Sequence, residues 1–433
     1  MLTIGSASVD ITPILGTEVL GYFNKRIARD IHDRLEATAL VATDGTTSVA
    51  VLVLDIIMMY RRDMDDIKAR ASSLTGIPAE NILVSCIHTH NGPSTATLFN
   101  TTREDAYCAW ACEKAADAIA LAAMRAEPAV MAHTSGQCPE ISFNRRWHMR
   151  DGSVVMHPTP LSPERVRPAG PTDPELLLAA FMTPDLSRAV SALVNFPLHY
   201  VGTSRSEDIT ADYCGVARRE LVRMMGQPFQ PLQANGCCGD IFWIDPDQAD
   251  PPRPTPYFQI DRVGRTVASE AYRRWQQITE WKSEATLGAA TAEVPFMCRR
   301  PSLEQLRDAE KMLAGPPDPD NGEWVYANEL MRLKDEPIER PAMIKALRIG
   351  DVGIVGLPGE IFVEIGLAIR AQSPAPRTMV IELANDWLGY IPTDRALQEG
   401  SYETRLATVS KAPPGTADLW TNTALAQLNK LFA

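Results

Sequence analysis

The chain has 433 residues, 45% hydrophobic and 22% charged, an ordinary globular composition. Its formal net charge of −12, from 42 basic and 54 acidic residues, leaves no basic excess to neutralise phosphates and argues against nucleic acid as a partner. No stretch approaches the roughly 18 consecutive apolar residues of a membrane helix, and Met1 to Asp10 lacks the basic head and long apolar run of a secretory signal.

In chain order, residues 4–12 read as a short strand ending in Asp10-Ile-Thr-Pro13. Strands at 37–42 and 48–55 flank Asp44-Gly45, a hairpin signal. Residues 62–74 have helical spacing, and Ile82 to Ile87 is an apolar strand. Strand, helix, strand is a βαβ unit, so the two strands are expected to be parallel, with Asp55 and His88 at the same end.

A helix is expected over 102–126 and a strand at 130–133. Residues 136–175, rich in Pro, Arg and Gly, read as a long loop or lid. A strand at 190–196 ends in Pro197-Leu198-His199. A helix at 212–225 and a strand at 232–235 lead into Gly236-Cys-Cys-Gly-Asp240. The aspartates at 245, 247 and 250 lack the glycine and glutamate of a calcium loop and read as solvated.

A helix over 260–281, a strand at 284–295 and helices at 303–314 and 323–335 follow. The last two form a helical excursion at about 300–340. A second hairpin turns at Gly350-Asp351. Leu357-Pro358-Gly359-Glu360 then opens a helix at 361–372, a strand runs 379–383, and a strand and tail are expected after Tyr402. With no repeat and no linker, the pattern predicts a single catalytic domain over 1–433, of α/β class, with mixed β-sheets flanked by helices.

Eight cysteines include no CxxC pair, so they read as small buried hydrophobes suited to a reducing compartment, and a cytoplasmic location is expected.

The chemistry concentrates in His88-Thr-His90-Asn-Gly-Pro93. Two histidines one residue apart at a strand end point the same way, a spacing used by metal sites. The run lacks the HxHxDH of metallo-β-lactamase-like enzymes, and the hairpins disfavour an amidohydrolase barrel. His199 also closes a strand, so it is a ligand or a satisfied core residue, and Asp212 is placed to orient it. Arg145 offers a planar fork for a carbonyl or carboxylate. Taken alone, Glu360 is a helix-start carboxylate and Tyr402 a loop aromatic.

An ordered set of motifs then coincides. Ile31-His-Asp-Arg-Leu35, the His88–Pro93 run, Phe143-Asn-Arg145, Asn195-Phe-Pro-Leu-His199 and Thr210-Ala-Asp-Tyr213 come first. Asn235-Gly-Cys-Cys-Gly-Asp240, Leu357-Pro-Gly-Glu-Ile-Phe362, Leu383 to Tyr390 and Ser401-Tyr-Glu403 complete it. The chain thereby resembles the N-terminal catalytic domain of the neutral/alkaline ceramidases. The resemblance implies a ceramidase-like zinc amidase, with Zn2+ held by His88, His199, Glu360 and Tyr402. It places His90 and Arg145 on the substrate carbonyl. From their positions in the chain, Asp212, Asp240 and Asp55 are read as supporting carboxylates.

Family members commonly carry a secretion signal and a C-terminal immunoglobulin-like domain, and neither is expected from these 433 residues. Gly239-Asp240-Ile241-Phe242 lacks the family's serine, and no tyrosine follows Tyr402. The expected activity is metal-assisted hydrolysis of an amide-type bond, N-acyl or cyclic C–N, in a small soluble substrate. The alternatives at the same site are a metal-dependent lyase, isomerase or ester/lactone hydrolase acting on a polyol or sugar-like compound. Neither a nucleic-acid partner nor membrane insertion is expected, and a homo-oligomer is left open.

Overall fold

Three βαβ crossovers bring their strand ends to one place. The computed structural model describes residues 1–249 and 251–433, so the aspartate at 250 lies outside the described residues. The first sheet runs in the order Ile82–Cys86, Ser48–Leu54, Glu36–Thr43, Thr3–Asp10, Glu127–Pro128. Its hairpin turns where expected: Thr43 pairs with Ser48, and Asp44 Oδ1 accepts from the amides of Thr46 and Thr47. Ser48–Leu54 and Ile82–Cys86 are parallel, joined by the helix Arg61–Thr75.

The second sheet holds Gln230–Asn235, Ala189–Phe196, Glu175–Met182 and Val130–Gln137. Its first two strands are parallel, and the helix Asp212–Met225 crosses between them. The third sheet holds Leu287–Met297, Glu339–Ile349, Val352–Gly356 and Arg377–Ile381. Its last two strands are parallel, bridged by the helix Val363–Gln372. The fold is thus α/β with mixed sheets flanked by helices. Chains of parallel strands leave their carboxyl ends free for ligand groups.

The three bundles of strand ends are stitched together. Asn235 Nδ2 donates to the carbonyl of Ile87 at 2.8 Å, and Asn385 N donates to Val84 at 2.8 Å. Asn195 Nδ2 reaches the carbonyl of Val380 at 3.2 Å, and Gly239 N reaches Ile361 at 2.8 Å. Buried polar groups need such partners, and here the partners come from different sheets.

Four local expectations change. Residues 136–175 are not an irregular loop: Arg146–Met149, Val154–Met156 and Arg165–Pro168 form a three-stranded antiparallel sheet. Its turn is Asp151-Gly152, with Gly152 at φ 86°, a hairpin signal hidden in a Pro- and Arg-rich stretch. The helix expected over 260–281 spans Phe258–Trp275, because Lys282 turns back to pair with Met131. Glu360 does not start a helix. Glu360–Ile361 is a short strand parallel to Tyr390–Ile391, and the helix begins at Val363. The C-terminal strand and tail is instead the helix Thr416–Phe432, which buries Trp420, Ala424 and Leu428. Those residues recur at four-residue spacing, the helical period.

The helices Leu303–Leu313 and Gly322–Asp335 are inserted between the paired strands Leu287–Met297 and Glu339–Ile349.

Candidate metal centre

The apolar strand Ile82–Cys86 is buried throughout, and the chain turns sharply just beyond it. His88 sits there at φ 65°, a left-handed conformation that a β-carbon makes costly and that recurs at functional sites. His88 Nε2 lies 3.2 Å from His199 Nε2, 3.2 Å from His90 Nε2 and 3.3 Å from Glu360 Oε2. The ligand nitrogens of His88, His90 and His199 all lie within 4.8 Å of one another, and all three residues are buried.

The hydrogen bonds fix which atoms face inward. His88 Nδ1 is 3.0 Å from the carbonyl of Ile57, and His199 Nδ1 is 3.2 Å from that of Cys238. Each Nδ1–H therefore donates outward, and each Nε2 presents its lone pair to the centre. Trp387 Nε1 donates to Glu360 Oε1 at 3.0 Å, while Glu360 Oε2 has no hydrogen-bond donor. Three acceptors thus converge.

Without a cation, only a shared proton relieves that arrangement. Burial acts to lower the His88 pKa, but the Glu360 carboxylate outweighs it and the pKa is raised. Burial acts to raise Glu360, and His88 outweighs it in turn. His90 and His199 are pushed well below the ordinary histidine value, by burial first, and so are neutral. Tetrahedral bonds of ~2.0–2.1 Å to zinc put neighbouring ligand atoms about 3.3 Å apart. The His88–His199 and His88–Glu360 separations match that edge, so these residues fit a metal ion.

Arg145 stands beside the cluster. Its Nε donates to Glu403 Oε1 at 2.8 Å and its Nη2 to the Tyr390 hydroxyl at 3.1 Å. Tyr402 lies on the same wall, edge-on to Tyr390 with ring centroids 5.8 Å apart. Burial raises the hydroxyl pKa of both tyrosines well above the usual value. Ser401, just before Tyr402, sits at φ 88°, ψ −179°. Arg145, Tyr390 and Tyr402 line a cavity of about 670 Å³ together with His90, His199, Tyr22, Phe23, Arg26 and Tyr200. Tyr200 stacks on His90, with centroids 3.6 Å apart and planes 15° apart.

The expected supporting carboxylates fare differently. Asp240 accepts from Asn144 Nδ2 and from Val363 N, both at 2.8 Å, tying the residue before Arg145 to the helix after Glu360. Asp212 does not orient His199. Its oxygens take the amides of Val201 at 3.1 Å and Gly202 at 2.8 Å, bracing the turn after the histidine. Asp55 does not reach His88. It accepts from Arg218 and from the Glu36 amide, because its side chain points to the Asp212–Met225 helix.

Several site residues carried no role in the sequence reading. Trp387 and Tyr390 fall inside the Leu383–Tyr390 motif, and Glu403 follows Tyr402, so motif membership marked them without assigning a task. Glu382 had no signal. Its carboxylate accepts from the amides of Cys238 at 3.1 Å and Ile361 at 2.9 Å, joining the carbonyl support of His199 to the strand of Glu360. Burial pushes Glu382 up to about 7.

A cluster of buried imidazoles and a carboxylate, at the converging strand ends of mixed sheets, defines an α/β protein able to hold a metal ion. Residues 2–235 match the family described as neutral/alkaline non-lysosomal ceramidase, N-terminal, and the chain belongs to that family. The family implies a hydrolase acting on an amide bond. Among solved structures, neutral ceramidase from Pseudomonas aeruginosa is similar at 18% identity and TM-score 0.77, covering 100% of this chain and 75% of that one. A structure described as ceramidase complexed with C2 is similar at 18% identity and TM-score 0.76, covering 99% of this chain and 74% of that one. At such identity the likeness establishes the fold. No curated protein matches the chain in sequence.

Proposed function

We propose that the protein is a zinc-dependent amidase that cleaves an N-acyl bond in a small soluble substrate. The observation that carries this reading is the convergence of His88 Nε2, His199 Nε2 and Glu360 Oε2 on one point beside Arg145. Two imidazoles, a carboxylate and the Tyr402 oxygen make a nitrogen and oxygen donor set suited to zinc. Zinc in such a site supplies hydroxide at neutral pH by lowering the pKa of water from ~15.7 to about 7.

The chain's own residues account for the remainder. Arg145, with Nε and Nη2 committed to Glu403 and Tyr390, holds its remaining donors toward the cavity and stabilises the oxyanion formed as the acyl carbonyl is attacked. His90, neutral through burial and fixed against Tyr200, takes the nucleophile's proton and delivers it to the leaving amine. The carbonyl carbon gains the oxygen, the C–N bond breaks, and the products are an acid and an amine.

A small substrate is favoured by the cavity walls. They carry Asn24, Arg26, Thr203 and Ser206 beside the aromatic groups and Met156, with no Leu, Ile or Val among the described lining residues. Eight free cysteines suit a reducing compartment.

The test pairs two variants. His88→Ala is expected to lose both zinc, by elemental analysis, and activity on an N-acyl amide panel. His90→Ala is expected to keep zinc and lose activity. Full zinc in His88→Ala would refute the assignment.

A further inference from the structure

We propose that Arg26 reads a carboxylate on the substrate, so that the amide cleaved is one whose amine carries a carboxylate, as in an N-acyl amino acid. The identity of the scissile bond rests on the amidase reading above, whereas the carboxylate site rests on the residues that follow.

Four arginines are buried: Arg26, Arg145, Arg146 and Arg218. Three of them face carboxylates, Arg145 and Arg146 at Glu403 and Arg218 at Asp55. Arg26 is 7% exposed and enters no ion pair among the described residues. Its basic neighbours in the chain are both paired, Lys25 with Glu18 and Arg29 with Glu207. A buried charge is costly without a counter-charge, so the exception requires an explanation.

Backbone carbonyls supply part of it. Arg26 Nη1 donates to Ser206 at 2.6 Å, and Nη2 donates to Leu20 and to His90, both at 2.8 Å. These dipoles hold the guanidinium in place without cancelling its charge, and Nε–H has no acceptor among the described residues. The Tyr22 ring, 4.1 Å from Arg26 Cζ, fixes the plane of the fork.

The location supplies the rest. Arg26 lines the cavity that contains His90, Arg145 and His199, and none of the described lining residues is Asp or Glu. In a chain of net charge −12 this cavity is an electropositive exception. An uncharged amide leaves Arg26 with only the more distant Glu207, itself paired with Arg29, as counter-charge, whereas a carboxylate matches it. Because Arg26 grips the backbone of His90, the group assigned to the leaving amine, the carboxylate belongs on the amine side of the scissile bond.

The probes are 3-phenylpropanoate and 3-phenylpropanamide, which share shape and differ in charge. Their affinities for the purified full chain are measured by calorimetry. The acid is expected to bind at least about tenfold tighter, as for one charge-assisted contact, and Arg26→Gln is expected to bring the two within about twofold. Equal affinities in the unmodified protein would overturn the proposal, and that comparison needs no variant to fold. An acid preference that persists undiminished in Arg26→Gln would also overturn it, placing the anion elsewhere. If no N-acyl amide is turned over while the acid preference stands and depends on Arg26, the amidase reading fails and the carboxylate site remains.

Discussion

Trp387→Phe tests how Glu360 is held. Trp387 is 3% exposed, and its indole N–H donates to Glu360 Oε1 at 3.0 Å. Phenylalanine keeps an aromatic ring on the same backbone and removes that donor. Losing a hydrogen bond to a charged, buried acceptor costs about 1.5–3 kcal/mol. The smaller ring leaves a void that adds about 1 kcal/mol at ~24 cal/mol per Å³. The metal-free protein is therefore expected to lose about 2.5–4 kcal/mol by urea unfolding. Glu360 is then free to rotate away from His88, and loss of a ligand's orienting partner typically weakens metal binding by about 10–100-fold. Chelator competition reads that loss directly. Metal affinity within about twofold of the parent would refute the reasoning, because Glu360 would then need no orienting partner or would not be a ligand.

Three further variants probe separate features. Arg145→Lys keeps a cation beside Glu403 but loses the fork, and kcat is expected to fall by about 10²-fold or more, whereas a fall of less than threefold by initial-rate assay would count against its oxyanion role. Ser401→Gly relieves a residue at φ 88°, ψ −179°, a region almost exclusive to glycine. The strain released, of order 1–3 kcal/mol, exceeds the entropy glycine adds to the unfolded chain, so the melting temperature is expected to rise, and a lower one would refute the strain. Lys345 is 1% exposed, donates to the carbonyls of Glu80 and Ile82, and is pushed by burial down to about 7. The unfolded chain, with a lysine pKa of about 10.4, binds the extra proton between those values, so folding stability rises with pH across the window from about 7 to about 10. Relative to Lys345→Met, the parent should gain on the order of a few kcal/mol between pH 7 and 10 in urea unfolding, and parallel pH curves would refute this.

What the sequence discloses here follows from the range of the interactions involved. The Asp44-Gly45 hairpin and the first βαβ unit are local patterns, and they appear in the structure as read. His88, His90 and His199 were marked by position at strand ends, and the structure gathers them into one cluster. Glu360 had the opposite history. Its local context suggested a helix start, yet pairing with Tyr390, thirty positions along the chain, makes it a strand residue. Asp55 and Asp212 were placed near the histidines by chain proximity, but their side chains point to Arg218 and to the Val201 and Gly202 amides. Glu382 and Arg26 matter only because separate segments meet around them, and no pattern along one segment records that.

The convergence itself explains how the fold and the metal depend on one another. Each parallel pair leads to one group: His88 just beyond the first sheet, His199 just beyond the second, and Glu360 in the short strand that follows Val352–Gly356 of the third. No one sheet can form the site, so the hydrogen bonds that join their ends, through Asn195, Asn235 and Gly239, set its geometry. That geometry is unfavourable by itself. It holds His88, Asp212 and Ser401 at positive φ and turns acceptors toward each other, at a cost of order 1–3 kcal/mol for each strained backbone. A cation that binds the folded state alone offsets this cost and adds stability that grows with the logarithm of its concentration. The acceptors are therefore fixed by cross-sheet bonds ahead of any ion, and a bound cation would convert their mutual repulsion into the affinity of the site.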